Sequence, residues 1–143
     1  MAALSADMYT IINQKSGTCL AVSGVDGTTV IGEARNDEPN QKWKVELVGD
    51  GLFDMRNVLN GYFLSFVRGV AGITDGLPVT GSIGRVPFRI ELDSGSSGGY
   101  SIIVPDTSQC IDLSDHGNPA SGTPVTLWEK WGGTNQIWRF EKV

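Results

Sequence analysis

The chain has 143 residues, enough for one hydrophobic core and short of the length at which chains divide into several domains. Its apolar share of 40% and charged share of 19% are those of a folded globular domain, while 19 Gly and 6 Pro imply many turns and therefore short strands. A formal net charge of −5 argues against nucleic acid and anionic membranes as partners, and no apolar run reaches the roughly 18 residues of a membrane span, so no membrane insertion is expected and a neutral ligand fits best.

From the N-terminus, Met1 to Thr10 lacks the basic region and apolar block of a secretory signal, so the chain is expected to be cytoplasmic, with unconventional release still open to it. Segments rich in β-branched and aromatic residues follow near 8–13, 18–23, 29–34 and 42–47, divided by Ser-Gly, Asp-Gly and Glu-Pro-Asn breaks, and each reads as a strand. No segment shows helical periodicity. The pattern then restarts. Tyr9-Thr-Ile-Ile-Asn13-Gln-Lys-Ser-Gly17 is answered by Phe53-Asp-Met-Arg-Asn57-Val-Leu-Asn-Gly61 and by Tyr100-Ser-Ile-Ile103, a period of about 44 to 47 residues. Cys19-Leu-Ala-Val22 matches Phe63-Leu-Ser-Phe66 and Cys110-Ile-Asp-Leu113. Asn40-Gln-Lys-Trp43 matches Asn135-Gln-Ile-Trp138, whereas the middle copy has Val86-Pro-Phe88-Arg, with Phe88 expected in the packing role of the tryptophan.

Four strands per copy, three times over, gives about twelve, too many for one flat sheet, and closure with quasi-threefold symmetry is the natural solution. The expected fold is therefore all-β, a β-trefoil forming a single domain over residues 1–143, with repeats at about 7–50, 51–97 and 98–143. Asp93-Ser-Gly-Ser-Ser-Gly-Gly99 looks like a linker, but a solvated hairpin turn is the preferred reading because neither side closes a core alone.

The third copy concentrates the chemistry. A pyranose has a flat face of C–H bonds and an edge of hydroxyls, so holding it takes an aromatic ring for the face and a carboxylate plus an amide for the edge. Asp112, Trp128 and Asn135 supply these types, with Thr126 and Gln136 beside them. An axial hydroxyl lets one carboxylate reach two adjacent oxygens while the apolar face stays on the indole, which favours galactose-type sugars. The first copy has Ala21 and Glu33 in place of Asp112 and Trp128, and the middle copy has Ser65 and Ser82. The Gln-x-Trp signature thus marks the scaffold, the Asp with its aromatic marks the site, and one site of three is complete.

Other conspicuous residues carry more than one reading. Trp131, followed by Gly132-Gly133, is either a platform for a second sugar or a lid on the barrel, whereas Trp43 and Trp138 read as packing. His116 lies in the loop Ser114-Asp-His-Gly-Asn-Pro119 as a turn residue within reach of a glycan edge, and with no Cys or second His nearby no metal site is expected. Cys19 and Cys110 read as buried, reduced thiols. Asp112 and Asp115 are too close in the chain to flank a glycosidic bond and are expected to brace one another, so no catalysis and no cofactor are expected.

The blocks Gln109-Cys110-Ile-Asp112-Leu, Gly122-Thr-Pro-Val-Thr-Leu-Trp128 and Asn135-Gln136-Ile-Trp138 resemble the ricin B-type lectin repeat, with its Cys-Leu-Asp-Val, Gly-Thr-x-Val-Gln-Leu-Trp and Gln-x-Trp blocks. The match is specific in the third copy, fair in the first and poor in the second. The chain is most similar to the small ricin B-like lectins of mushrooms and other fungi, a group that is usually cytosolic, often homodimeric, and binds galactose, N-acetylgalactosamine or related glycans in defence. The resemblance implies that Asp112 is the sugar-binding acid, Trp128 the stacking aromatic, Asn135 and Gln136 the amide pair, and Asp115 a secondary acid that props the site. Thr126 stands where Gln is frequent, which bears on specificity, and Lys130 and Arg35 stand where a disulfide cysteine would be, in keeping with cytosolic life. Some small fungal members bind sugar with altered residues in other copies, so Asp26, Asn36, Asp37 and Asn40 form a second candidate site in the first repeat. A galactose- or N-acetylgalactosamine-type lectin is the expected function. The competing readings are a trefoil protease inhibitor and an accessory subunit that has lost sugar binding.

Overall fold

The computed structural model describes residues 4–95 and 98–143. The first repeat contributes β1 (Asp7–Asn13), β2 (Cys19–Val22), β3 (Val30–Glu33) and β4 (Lys42–Gly49). The second contributes β5 (Leu52–Asn57), β6 (Phe63–Phe66), β7 (Val79–Ser82) and β8 (Phe88–Leu92), and the third β9 (Gly99–Ile103), β10 (Gln109–Leu113), β11 (Thr123–Glu129) and β12 (Trp138–Lys142). Burial alternates along β4 and β8, so that Trp43 and Val45 on one and Phe88 and Ile90 on the other face the core.

Antiparallel pairing of β1 with β4, β4 with β5, β5 with β8, β8 with β9, β9 with β12 and β12 with β1 closes a barrel. Closure leaves none of these strands as a free edge. The other strands form hairpins, β2 with β3, β6 with β7 and β10 with β11. They meet each other through Thr123↔Gly32, Thr29↔Thr80 and Pro78↔Thr126, a triangle of contacts that caps the barrel. This is an all-β, twelve-stranded β-trefoil.

Among the described residues, helical structure is confined to 3₁₀ turns at Pro39–Gln41 and Thr134–Gln136 and a single turn at Ser114–Gly117. The two 3₁₀ turns carry the Asn-Gln pairs and deliver the chain to the buried tryptophans. Trp43 Nε1 donates to Leu20 O at 2.9 Å and Trp138 Nε1 to Ile111 O at 3.1 Å, while Phe88, equally buried, takes the same place without a donor. The 3₁₀ turns are also stitched from the neighbouring repeat. Asn13 Nδ2 donates to Asn135 O at 2.9 Å and Asn57 Nδ2 to Asn40 O at 3.0 Å. The third counterpart is Val104, and the repeat it would reach has no Asn-Gln turn, so both halves of that interaction are absent together.

The linker-like stretch joins β8 to β9, whose register includes Leu92↔Tyr100, and Asp93 N–H donates to Gly99 O at 2.8 Å. Its Ser96 and Ser97 lie outside the described residues.

Candidate carbohydrate-binding site

A cavity of about 230 Å³ opens at the third repeat, lined by Asp112, Ser114, Asp115, His116, Trp128, Trp131 and Asn135. Pairing of β10 with β11 sets Cys110 opposite Trp128 and Asp112 opposite Thr126. Asp112 stands near the end of β10 and Ser114 opens the turn that follows it, and both side chains line the cavity. Trp128 is 42% exposed and Trp131 58%, whereas Asp112 and Asn135 are each 5% exposed. Two open indoles thus flank polar groups held at depth.

Asp112 Oδ2 accepts from Gln136 Nε2 at 2.9 Å. Burial raises the Asp112 pKa above the ordinary carboxylate value, and the Gln136 and Asn135 amides and His116 oppose that rise. Gln136 is the keystone beneath the site, 1% exposed, with Nε2 also donating to Glu129 O at 3.0 Å and Oε1 accepting from Trp131 N–H at 3.1 Å. Asn135 Nδ2 donates to Leu113 O at 3.1 Å, which leaves its Oδ1 as an acceptor toward the cavity.

The loop after β10 closes the opposite wall. Asp115 and His116 sit at φ 54° and 52°, left-handed values uncommon outside glycine that Asp and His adopt more readily than most residues, and Gly117 follows at φ 80°. A Cβ on Gly117 would lie 2.6 Å from Lys15 Cγ and 3.0 Å from Asn135 Cβ, so glycine permits both the turn and its close packing on Asn135. Asp115 Oδ2 accepts from Asn118 Nδ2 at 2.8 Å. The two acids expected to brace each other are therefore each held by a different amide.

Most third-repeat residues singled out in the sequence converge on this cavity, with two exceptions. Gln136 supports Asp112 from behind, and Thr126 packs with its Oγ1 3.4 Å from Ser114 Oγ, outside the lining. Ser114 does line the cavity, and its closeness to Asp112 in the sequence was the available signal. Asp75 is a second addition. Its Oδ1 accepts from Glu129 N–H at 2.9 Å and from Gln109 Nε2 at 3.0 Å, tying the second repeat to β11 behind Trp128. No local pattern in the sequence marks a contact between residues so far apart.

The first-repeat candidates are arranged differently. Glu33 Oε1 accepts from Asn40 Nδ2 at 2.9 Å, Gln41 Nε2 at 2.8 Å and Asn36 Nδ2 at 3.3 Å. Its carboxylate thus takes from Gln41 the bond that Asp112 takes from Gln136. Asp26 caps its own turn, accepting from the Thr29 hydroxyl at 2.5 Å and from Thr29 N–H and Thr28 N–H, both at 2.9 Å, which holds its pKa down at about 2. Asp37 pairs with Arg35 at 2.9 Å, and Arg35 reaches Glu141 at 2.9 Å. Asn36 and Asn40 are brought together at Glu33, while Asp26 and Asp37 serve their own turns.

Cys19 and Cys110 are free and fully buried, and burial pushes the Cys110 thiol up to about 12. The described residues contain no group of three or more His, Cys, Asp or Glu placed to hold a metal ion.

The backbone superimposes on that of the Macrolepiota procera ricin B-like lectin solved in complex with lactose, with a TM-score of 0.92, 29% identity and full coverage of both chains. It is also similar to the Rhizoctonia solani agglutinin, with a TM-score of 0.87 and 28% identity over 100% of this chain and 99% of that one. The designed threefold-symmetric protein ThreeFoil shares the fold, at a TM-score of 0.85 and 24% identity over 95% of this chain and 99% of its own. No curated protein matches the chain in sequence. The family model described as ricin-type β-trefoil lectin domain-like matches residues 3–81, more than half of the chain, and the protein belongs to that family.

Proposed function

We propose that the protein is a lectin that binds galactose- or N-acetylgalactosamine-type glycans through the cavity of the third repeat. The observation that carries this reading is the approach of the buried Asp112 carboxylate, the Asn135 amide and the open face of Trp128 to one cavity. Asp112 accepts two neighbouring hydroxyls, Asn135 completes the polar edge, and the C–H face of the sugar lies on Trp128. A charge-assisted hydrogen bond from each hydroxyl to Asp112 contributes roughly 1.5 to 3 kcal/mol. The ligand named for the Macrolepiota lectin, lactose, contains galactose and supports the same sugar class here.

In this reading the chain is a binding module and not an enzyme, with Asp112 given to the sugar hydroxyls and Asp115 held in its own turn by Asn118. One shallow site binds a monosaccharide with a Kd of about 1 mM, so avidity from a homodimer is part of the proposal. Free, buried thiols suit a cytoplasmic setting, and defence against organisms that carry such glycans is the role consistent with it.

The test is a glycan array followed by titration of the best ligand into wild type and Asp112→Ala. Galactose-terminated ligands on the array and loss of binding in the variant are expected. Unchanged binding in Asp112→Ala moves the site to another repeat, and an empty array favours an inhibitory or accessory role.

A further inference from the structure

We propose that Trp131 is a second sugar platform, so that the ligand is an oligosaccharide of at least two rings, a galactose-type residue on Trp128 and its neighbour on Trp131. This deepens the reading of the third repeat as the sugar site and rests on it.

The 3₁₀ turns of the first and third repeats share one backbone plan, in which the N–H of Asn36 donates to Gln41 Oε1 at 2.9 Å and the N–H of Trp131 to Gln136 Oε1 at 3.1 Å. The residue before each turn is extended, Glu38 at φ −84° and ψ 161° and Gly133 at φ −72° and ψ 145°. Any residue adopts that conformation, and Glu38 does so in the first repeat. Glycine at 133 is therefore not a backbone requirement.

It is a requirement of the indole. A Cβ at 133 would lie 2.3 Å from both Cζ2 and Cη2 of Trp131 and 2.6 Å from Asn135 Oδ1. The ring lies flush on the glycine backbone, beside the amide that faces the sugar. Its other side remains open, leaving Trp131 58% exposed at the rim of the cavity it shares with Trp128. A lid on the barrel would be buried, and the barrel is already filled by Trp43, Phe88 and Trp138. An apolar ring held in a fixed pose with one face open, next to a pyranose site, suits the apolar face of a second pyranose.

The counterpart in the first repeat points the same way. Asn36 there is tied to Glu33 at 3.3 Å and offers no ring. Trp131 and Gly133 are thus a matched pair confined to the repeat that carries the candidate site.

The test compares methyl β-galactoside, a one-ring probe, with lactose, a two-ring probe, by titration into wild type and variants. Wild type is expected to bind lactose about tenfold more tightly, the scale of one added ring stacked on an indole. Trp131→Ala and Gly133→Ala should each bring that ratio close to one, and Trp131→Phe should restore part of it. A ratio that stays near ten in Trp131→Ala, or wild type with no preference for the second ring, overturns the subsite. If Asp112→Ala abolishes binding of both probes while Trp131→Ala changes neither, only the subsite falls. If wild type binds neither probe, the galactose reading falls and takes the subsite with it.

Discussion

Gln136 Nε2 donates to Asp112 Oδ2 across 2.9 Å with both side chains buried, so the carboxylate that lines the third-repeat cavity is held by the same amide that orders the Trp131 backbone. Asp112 is poised at a cost to the fold. Its pKa is raised by burial, with Gln136, Asn135 and His116 opposing the shift and Asp75 adding to it. A carboxyl whose folded pKa is raised stabilises the fold only while protonated, and that contribution is lost as pH rises through the folded pKa. Asp112→Asn keeps an acceptor for Gln136 and removes the charge. The variant should melt at or above the wild-type temperature at neutral pH, with the difference shrinking toward low pH, while sugar affinity falls at least about tenfold. Calorimetry across pH together with titration checks both. A lower Tm for the variant at neutral pH would contradict the argument.

The same shift sets the acid limit of binding in the wild type. In the proposed site Asp112 accepts from sugar hydroxyls as the carboxylate, so on that reading affinity should begin to fall at a pH above the ordinary aspartate value of 3.8 and not at or below it. Titrations between pH 7 and pH 3 locate that midpoint, provided the fold is monitored in parallel.

Asp75 gives a third prediction. It joins the loop before β7 to β10 and β11 through Gln109 Nε2 and Glu129 N–H, and the segment continues with Gly76 N–H donating to Leu127 O at 2.8 Å. A Cβ on Gly76 would lie 3.9 Å from Trp128 Cζ3, which places this loop against the Trp128 ring. Asp75→Ala should cost about 1 kcal/mol of stability, as the loss of exposed hydrogen bonds does, and weaken sugar binding several-fold by loosening Trp128. Because Asp75 is outside the cavity lining, ligand selectivity should be retained while affinity drops. A change of selectivity would assign Asp75 to direct contact.

These residues show what could be read from the sequence and what could not. The repeat exposed the fold, because aromatic starts at Tyr9, Phe53 and Tyr100 and the Trp43, Phe88 and Trp138 positions are local patterns imposed by one packing problem solved three times. The third-repeat cluster was legible for a related reason: Asp112, Trp128 and Asn135 stand at positions whose counterparts in the other copies lack the full set. Local pattern does not encode relations across repeats. Asp75 against Glu129 depends on how the hairpins of two repeats lean on each other, and Gly133 against Trp131, although close in sequence, depends on how the turn folds back on itself. The role of Gln136 also lay beyond the pattern, since the same signature serves as scaffold under Glu33 in one repeat and under Asp112 in another.

Cys110 supplies a fourth prediction from its isolation. It is fully buried opposite Trp128, with Sγ donating to Trp128 O at 3.5 Å, and burial lifts its pKa from 9.0 to about 12. A thiol with a raised folded pKa stabilises the fold fully below its unfolded pKa, and this is lost as pH rises from about 9 toward 12. The native protein should be inert to thiol reagents at pH 8 and react at a rate set by unfolding. Cys110→Ala should remove part of the alkaline destabilisation between those pH values. Rapid labelling of the native protein would show that the hairpin opens locally.

Glu33 decides whether the first repeat is silent. Three amides converge on its Oε1, and two of them, Asn40 and Gln41, are buried, so removal of the carboxylate leaves polar groups short of partners. Glu33→Ala should destabilise the protein by about 1 to 3 kcal/mol, the cost of unmet buried hydrogen-bonding groups. The Oε1 of this carboxylate is already taken by three protein donors, and the nearby Asn36 offers no stacking face. Binding stoichiometry and affinity should therefore be the same in Glu33→Ala as in wild type at temperatures where both are folded. If the variant loses one of two bound sugars per chain, Asn36, Asn40 and Glu33 are a working site, and the third repeat then shares the binding with the first.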